Sequence, residues 1–204
     1  MKGKFIVLEG IDGSGTTTQK KLLCKWLEER NKDVISTHEP TREKGRIGRI
    51  IRDRLVQDEH DYSPEAIGLS FAADRLVHIE DRISPALESG SFVVSDRYYH
   101  SSMVYQPEHG ASIEWVKEIN RYAREPDVTV IVDVPAEEAV KRQVDRDGGE
   151  SSIIFENLEF QKKIRKRYKE LEEMLEENLY IIDGDRSIEE VHDDIKKVVE
   201  MEVF

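Results

Sequence analysis

Five short apolar runs recur along this chain of 204 residues: "KFIVLE", "DVISTH", "SFVVSD", "VTVIVDV" and "LYIID". They are rich in Val and Ile, and most are continuously apolar rather than alternating. Continuous apolarity suits strands covered on both faces, as in a parallel sheet packed between helices. Helical patterns fill the gaps. "TQKKLLCKWLEER" sets Leu22, Leu23, Trp26 and Leu27 on one face. "SPEAIGLSFAADRLVHIEDRISPALESG" opens with Ser63 as N-cap and Pro64 at the first helical position, and a bend or break is expected before Pro85. "SIEEVHDDIKKVVE" opens with a capping box, Ser187 with Glu190. Strand and helix in alternation predict a three-layer α/β domain over residues 1–204, a five-stranded parallel sheet flanked by helices. No linker, repeat or low-complexity tract interrupts it.

Charge narrows the partners. Charged residues are 36% of the chain and the net charge is −12, so nucleic acid is not an expected partner. A phosphate-bearing substrate would need a concentrated positive pocket. With one cysteine, Cys24, no intrachain disulfide can form, and its place in the first helix suits a packed core thiol. The six histidines have no metal-ligand spacing. No apolar stretch approaches the roughly 20 residues of a membrane span, and "MKGKFIVLEG" is too short for a signal peptide, so the expected location is cytoplasmic.

The first strand runs into "EGIDGSGTTTQ". This has the layout of a phosphate-binding loop, G-x-x-x-x-G-K-[ST], with Thr16 in the lysine slot. Gly13 and Gly15 leave backbone N–H groups free to curl around a phosphate, and the start of the next helix adds positive potential. Thr17 stands where such a loop meets Mg²⁺. A plain glycine-rich strand-to-helix turn has the same look. Ligands of open α/β sheets sit beyond the carboxyl ends of the strands, where the loop lies.

Further candidates end other strands or mark helix faces. "SDRYY" ends the third strand. Asp96 there suits a metal or its water shell, and Arg97 offers a planar fork for phosphate; a structural Asp–Arg pair is the other reading. Phe71 and Arg75, four apart in "LSFAADRLVH", share a helix face and suit a nucleobase, ring on ring and fork on edge; core Phe and surface Arg are the alternative. "THEPTR" follows the second strand, and Arg42 there can reach the same crevice. In "DRDGGESSIIFENLEFQKKIRKRYKELEEMLEE", Gly148 and Gly149 read as a flexible segment, and most charges of the helix after it as a solvated face.

Taken together, "FIVLEGIDGSG", "TTQ", "EPTR", "SFAADR" and "SDRYYHSSMVYQ" resemble the thymidylate kinase family, in order and spacing, over nearly the whole chain. The resemblance implies a P-loop kinase fold and the reaction ATP + dTMP → ADP + dTDP. It implies that Gly10, Gly13, Ser14, Gly15, Thr16, Thr17 and Thr18 cradle the ATP phosphates, with Mg²⁺ held by Thr17 and Asp96. Asp12 matches the loop acid near the incoming nucleotide, and Arg42 and Arg97 match the arginines on the dTMP phosphate. Phe71 matches the residue stacked on thymine, and Arg75 the one on its edge. Ser102 faces the base, Tyr105 lies under the sugar where a 2′-hydroxyl would crowd it, and Gln106 is a further pocket residue.

A mobile lid is implied around 142–155. Gly13 follows Asp12, so the resemblance is to members whose lid supplies the catalytic arginine: Arg146 first, with Arg142 against the adenine ring. A homodimer is implied as well. Two other readings stay open. One is a P-loop kinase for another nucleotide or nucleoside. The other is a catalytically impaired nucleotide-binding regulator, which Thr16 alone suggests.

Overall fold

The computed structural model describes residues 3–41, 47, 48, 51, 62–147 and 151–204, with the backbone alone for residues 147 and 151–157. Arg42 and the glycines 148 and 149 therefore lie outside the described residues.

All five expected strands form, each within one residue of its apolar run: β1 (Phe5–Glu9), β2 (Val34–His38), β3 (Phe92–Asp96), β4 (Val128–Asp133) and β5 (Leu179–Asp183). They make one sheet in the order β2-β3-β1-β4-β5, and every pair is parallel. Every residue of β1 is fully buried, as its unbroken apolarity requires. Helices cover both faces: α1 (Thr16–Glu29), α2 (Pro64–His78), α3 (Ser84–Glu88), α4 (Tyr99–Tyr105), α5 (Ile113–Ile119), α6 (Ala136–Asp147), α7 (Ser151–Met174) and α8 (Ile188–Val203). Among the described residues, no helix is long and apolar enough to cross a membrane.

The caps sit where the sequence puts them. The Ser63 side chain accepts the Ala66 N–H, and Ser187 with Glu190 forms both halves of the capping box. The first helix buries Leu23, Trp26 and Leu27 as expected, with Cys24 beside them, while Leu22 is half-buried. Burial raises the Cys24 thiol pKa, in keeping with a core thiol.

Of the bend or break expected before Pro85, the break does not occur, but the regular α-helix does give way there. The chain stays helical through a π turn at Ile79–Ile83 and enters α3. The N–H of Ser84 reaches back five residues to the carbonyl of Ile79. This wider turn opens the hydrogen-bond ladder just before the proline, so its ring and missing donor are accommodated without ending the helix. Ile83, fully buried, pins the turn to the core.

The sheet order matters for function. β1 is central, with β3 on one side and β4 on the other. The chain leaves β1 toward β2 and β3, then returns across β1 to β4, so the crevice beyond the carboxyl end of β1 is the topological switch point. The register sets Asp96 beside Leu8, so the end of β3 lies against the loop that follows β1.

α8 closes the sheet by burying Val191, Ile195, Val199 and Val203. Ile195→Ala is expected to cost about 2–5 kcal/mol of stability in urea denaturation. A loss under about 1 kcal/mol would mean that this face is not packed as described.

Candidate active site

The loop after β1 turns at two glycines in left-handed conformation, Gly13 (φ 89°) and Gly15 (φ 95°), and Gly15 is the N-cap of α1. Ser14 is buried, and its Oγ has no protein partner. Thr17, in the first turn of α1, donates its hydroxyl to Asp96 Oδ2 at 2.6 Å. The loop lines a cleft of about 680 Å³. Asp12 through Thr18, Asp96 and Arg97 line it, together with Arg142, Arg146 and Arg186. Gly10 does not line the cleft; a Cβ there would come 2.5 Å from Ser14 Oγ. Arg142 donates to Glu138 at 3.0 Å and reaches the Gly184 carbonyl at the end of β5 at 3.5 Å.

A second cavity, of about 350 Å³, gathers Phe71, Arg75, Ser102, Tyr105 and Gln106. Arg75 is not a surface charge: its side chain is only 2% exposed. Its Nε donates to Glu39 Oε2 at 2.8 Å, one Nη to Asn120 Oδ1 and the other to Ser102 Oγ at 3.1 Å. Three of its five N–H groups are so committed, and two remain. Glu39 is braced in turn by His78 Nδ1 at 3.1 Å, and His78 Nε2 meets Thr37 Oγ1 at 2.6 Å. Gln106 is 5% exposed, yet neither its amide oxygen nor its nitrogen has a protein partner. An unpaired buried amide costs about 1–3 kcal/mol per group, so this cavity is built for something that offers both a donor and an acceptor.

The two cavities share Asp12, Glu39, Pro40 and Arg97 as a common wall. Arg97 follows β3 with φ 71°, unusual for a non-glycine residue. Its guanidinium donates to Asp12 Oδ1 at 2.6 Å, Ser101 Oγ at 3.0 Å and Tyr105 OH at 3.2 Å. Burial works against the Arg97 charge, but Tyr105, Asp12, Tyr168 and Glu9 together outweigh it and hold its pKa well above the ordinary value. Burial pushes the Tyr105 hydroxyl up to about 12, against the lowering pull of Arg97, so it stays protonated near neutral pH. The paired reading of Asp96 and Arg97 is not what forms: Asp96 bonds Thr17, and Arg97 bonds Asp12.

α6 rests directly on the loop. Gln143 Nε2 donates to the Asp12 carbonyl at 2.5 Å, and Gly13 lies against the Ala139 carbonyl.

The structure brings the described candidates to the linings of these two cavities, except Gly10, which lines neither, and Arg42 lies outside the described residues. Sequence reasoning missed Arg186 and Ile188 in the first cavity's lining and Glu39 on the shared wall. The strand-end rule that found the loop applies equally to "DGDRS" after β5, so Arg186 was within reach. Glu39 was not, because only the fold turns it inward.

The thymidylate kinase family model matches residues 8–195. The chain is 44% identical over 208 residues to a probable thymidylate kinase of Pyrococcus abyssi (strain GE5 / Orsay), covering 100% of this chain and 99% of that protein. It is 41% identical over 210 residues to a probable thymidylate kinase of Thermococcus gammatolerans, covering 99% and 98%. A thymidylate kinase of Thermoanaerobacter sp. (strain X514) is 38% identical over 203 residues, with 98% of each covered.

Alanine at Gly13 and at Gly15 should have unequal effects. Both positions have positive φ, which costs an L-residue about 1–2 kcal/mol. A Cβ on Gly13 would also lie 2.3 Å from the Ala139 carbonyl oxygen, whereas one on Gly15 meets nothing within 4 Å. Gly13→Ala should therefore lose about 1–3 kcal/mol more stability than Gly15→Ala by chemical denaturation. Equal losses would mean that α6 does not press on the loop.

Proposed function

The chain belongs to the thymidylate kinase family and transfers the γ-phosphoryl group of ATP to dTMP, and we propose that transfer takes place at the wall its two cavities share, Asp12 and Arg97. The observation that carries this reading is that wall itself: one cleft is lined by the phosphate loop, the other by a ring, a fork and an unpaired amide, and they meet at one guanidinium. ATP occupies the first cleft, with its phosphates on the loop. Arg142 lies toward the adenine ring, and its reach to the end of β5 supports that role. dTMP occupies the second cavity. Phe71 stacks on thymine, Arg75 uses its remaining N–H groups on the ring edge, and Ser102 and Gln106 complete the polar contacts. Thymine offers both a ring N–H and carbonyl acceptors, which suits the Gln106 amide. Tyr105 lies between base and phosphate and crowds a 2′-hydroxyl. Arg97, with Arg42, holds the acceptor phosphate.

The metal reading rests on Thr17 and Asp96. A hydroxyl and a carboxylate in contact at 2.6 Å are hard oxygen donors and fit Mg²⁺, which takes few protein oxygens and leaves the rest to phosphate and water. When bound, Mg²⁺ would neutralise charge on the β and γ phosphates. The protein's own part is alignment and charge: Arg97 on the acceptor, the loop N–H groups on the donor, and the arginines of α6 over the transferring group. The end of α6 is the described part of the lid within a single kinase domain, and Arg146 in the cleft's lining supports that role. A cytoplasmic homodimer completes the proposal. Leu69 of α2, 53% exposed, suits a helix face covered by a second copy.

An ADP-release assay with dTMP, dUMP, dCMP and thymidine tests the reading. ADP release should be fastest with dTMP and near background with thymidine, which has no phosphate for Arg97. Thymidine turnover equal to that of dTMP would overturn the placement of Arg97.

Thr16 carries no charge where related loops have lysine, and removing one preorganised donor at a developing anion costs about 10²–10³ in rate unless it is replaced. We assign the replacement to Arg146. Arg146→Ala should lower kcat by about 10² or more, whereas Thr16→Lys should change it little. The opposite pattern, a large gain in Thr16→Lys with no effect in Arg146→Ala, would leave the wild-type chain an impaired kinase.

A further inference from the structure

Glu9 is the last residue of β1 and is fully buried, yet no step above uses it. Its carboxylate accepts four hydrogen bonds. Oε1 takes the backbone N–H of Tyr98 at 2.7 Å and of Ser101 at 3.2 Å. Oε2 takes the hydroxyls of Ser101 at 2.7 Å and Tyr168 at 2.8 Å. That fills the roughly four acceptor sites of a carboxylate.

Proton counting gives these contacts a direction. A hydroxyl has one proton to donate. Ser101 and Tyr168 each spend theirs on Glu9, so Ser101 Oγ can only accept from Arg97 Nη1, 3.0 Å away. The 3.0 Å approach of the Ser101 and Tyr168 oxygens then has no proton of its own. Burial, with the Glu9 charge adding to it, holds the Tyr168 pKa well above its ordinary value, so it remains a donor. The result is a one-way chain, Arg97 to Ser101 to Glu9, ending on a buried negative charge.

Besides its bond to Tyr105 OH, Arg97 is held by two unequal arms that end on carboxylates. The Asp12 arm ends on a side chain 58% exposed to solvent, where an ion pair is worth little and the carboxylate can swing away. The Ser101 arm ends on a carboxylate that cannot move, at the end of a central strand. Glu9 also grips the backbone: its bond to the Tyr98 N–H follows directly on the positive-φ residue Arg97, whose own N–H donates to the Leu8 carbonyl at 2.9 Å.

We infer that Glu9 is a positioning residue for the phosphoryl acceptor: through Ser101 it aims the Arg97 guanidinium at the acceptor phosphate, and Tyr168, reaching in from α7, holds the carboxylate in place. This rests on the reading that Arg97 meets the dTMP phosphate. It adds that the aim of Arg97 is set from the interior, one residue removed, and that α7 is part of the same support.

The test separates phosphate from nucleoside. Thymidine and dTMP binding are measured by calorimetry, and kcat and both KM values by ADP release, for wild type, Arg97→Ala, Ser101→Ala, Glu9→Gln and Tyr168→Phe. Ser101→Ala should weaken dTMP by about 10- to 100-fold, the range for a misaligned clamp, and leave thymidine affinity and the ATP KM unchanged. Glu9→Gln should do the same, since its amide keeps the shape and the backbone contacts but loses the charge. Tyr168→Phe should do so more weakly. Should Glu9→Gln fail to fold, Ser101→Ala still decides the matter, because it leaves the carboxylate intact. A merely structural role predicts that thymidine and dTMP weaken together. That outcome, or no change in dTMP while Arg97→Ala separates the two ligands, would overturn the inference. If Arg97→Ala itself leaves the ratio of dTMP to thymidine affinity unchanged, the placement of Arg97 fails first and the inference with it.

Discussion

The parallel pairing of β1 with β3 is the constraint on which the site depends. In that register Asp96 stands beside Leu8, so the turn after β3 and the loop after β1 emerge together at one edge of the sheet. Thr17 can then reach Asp96 from the first turn of α1, and Arg97 can reach Asp12 across the crevice. Neither contact is local in sequence. The first spans 79 residues and the second 85, and both would vanish with a one-residue slip of β3. Every residue of both strands is buried, so a slip would set each side chain, Ser95, Asp96 and Glu9 included, into packing shaped for another.

Behind the crevice the structure uses buried charge to set direction. Arg75, Glu39 and His78 form a polar cluster at the second cavity, with side chains 2–4% exposed. An apolar cluster of similar volume would serve stability as well or better, and breaking one partner of such a pair costs about 3–5 kcal/mol. The arrangement makes sense as orientation. Three fixed acceptors around one planar guanidinium leave it a single pose, with two N–H groups uncommitted at the cavity that Arg75 lines. Glu9 does the same for Arg97 on the neighbouring turn.

These two arginines show what could and could not be read from the chain. The strands were legible because a parallel sheet demands continuous apolar runs, and the run is its own evidence. The loop was legible because glycines at fixed spacing have few other uses. Phe71 and Arg75 were legible as a pair, since four residues place them on one helix face. Their depth was not. Nothing in "SFAADR" says that the arginine is fully buried, because the acceptors that make this tolerable, Glu39, Asn120 and Ser102, come from three distant segments. Glu9 was hidden for the same reason: an acid closing an apolar strand looks like the start of a solvated turn. Pro85 was legible only in part. Proline predicts an interruption, and only the π turn ahead of it, held by buried Ile83, lets the helix run on.

Thr16 fits this picture of charge set by position rather than by count. The chain is strongly acidic, so its overall field disfavours phosphate. The cleft offsets this locally: Arg97, Arg142, Arg146 and Arg186 all face it, against Asp12, Glu39 and Asp96 on its walls. Arginine remains charged whatever its surroundings, whereas a lysine packed among arginines at the loop would be pressed to give up its proton. A threonine in the loop avoids that repulsion and still offers a hydroxyl donor to a phosphate oxygen. The four arginines that line the cleft therefore supply a physical reason why the lysine can be absent from this loop.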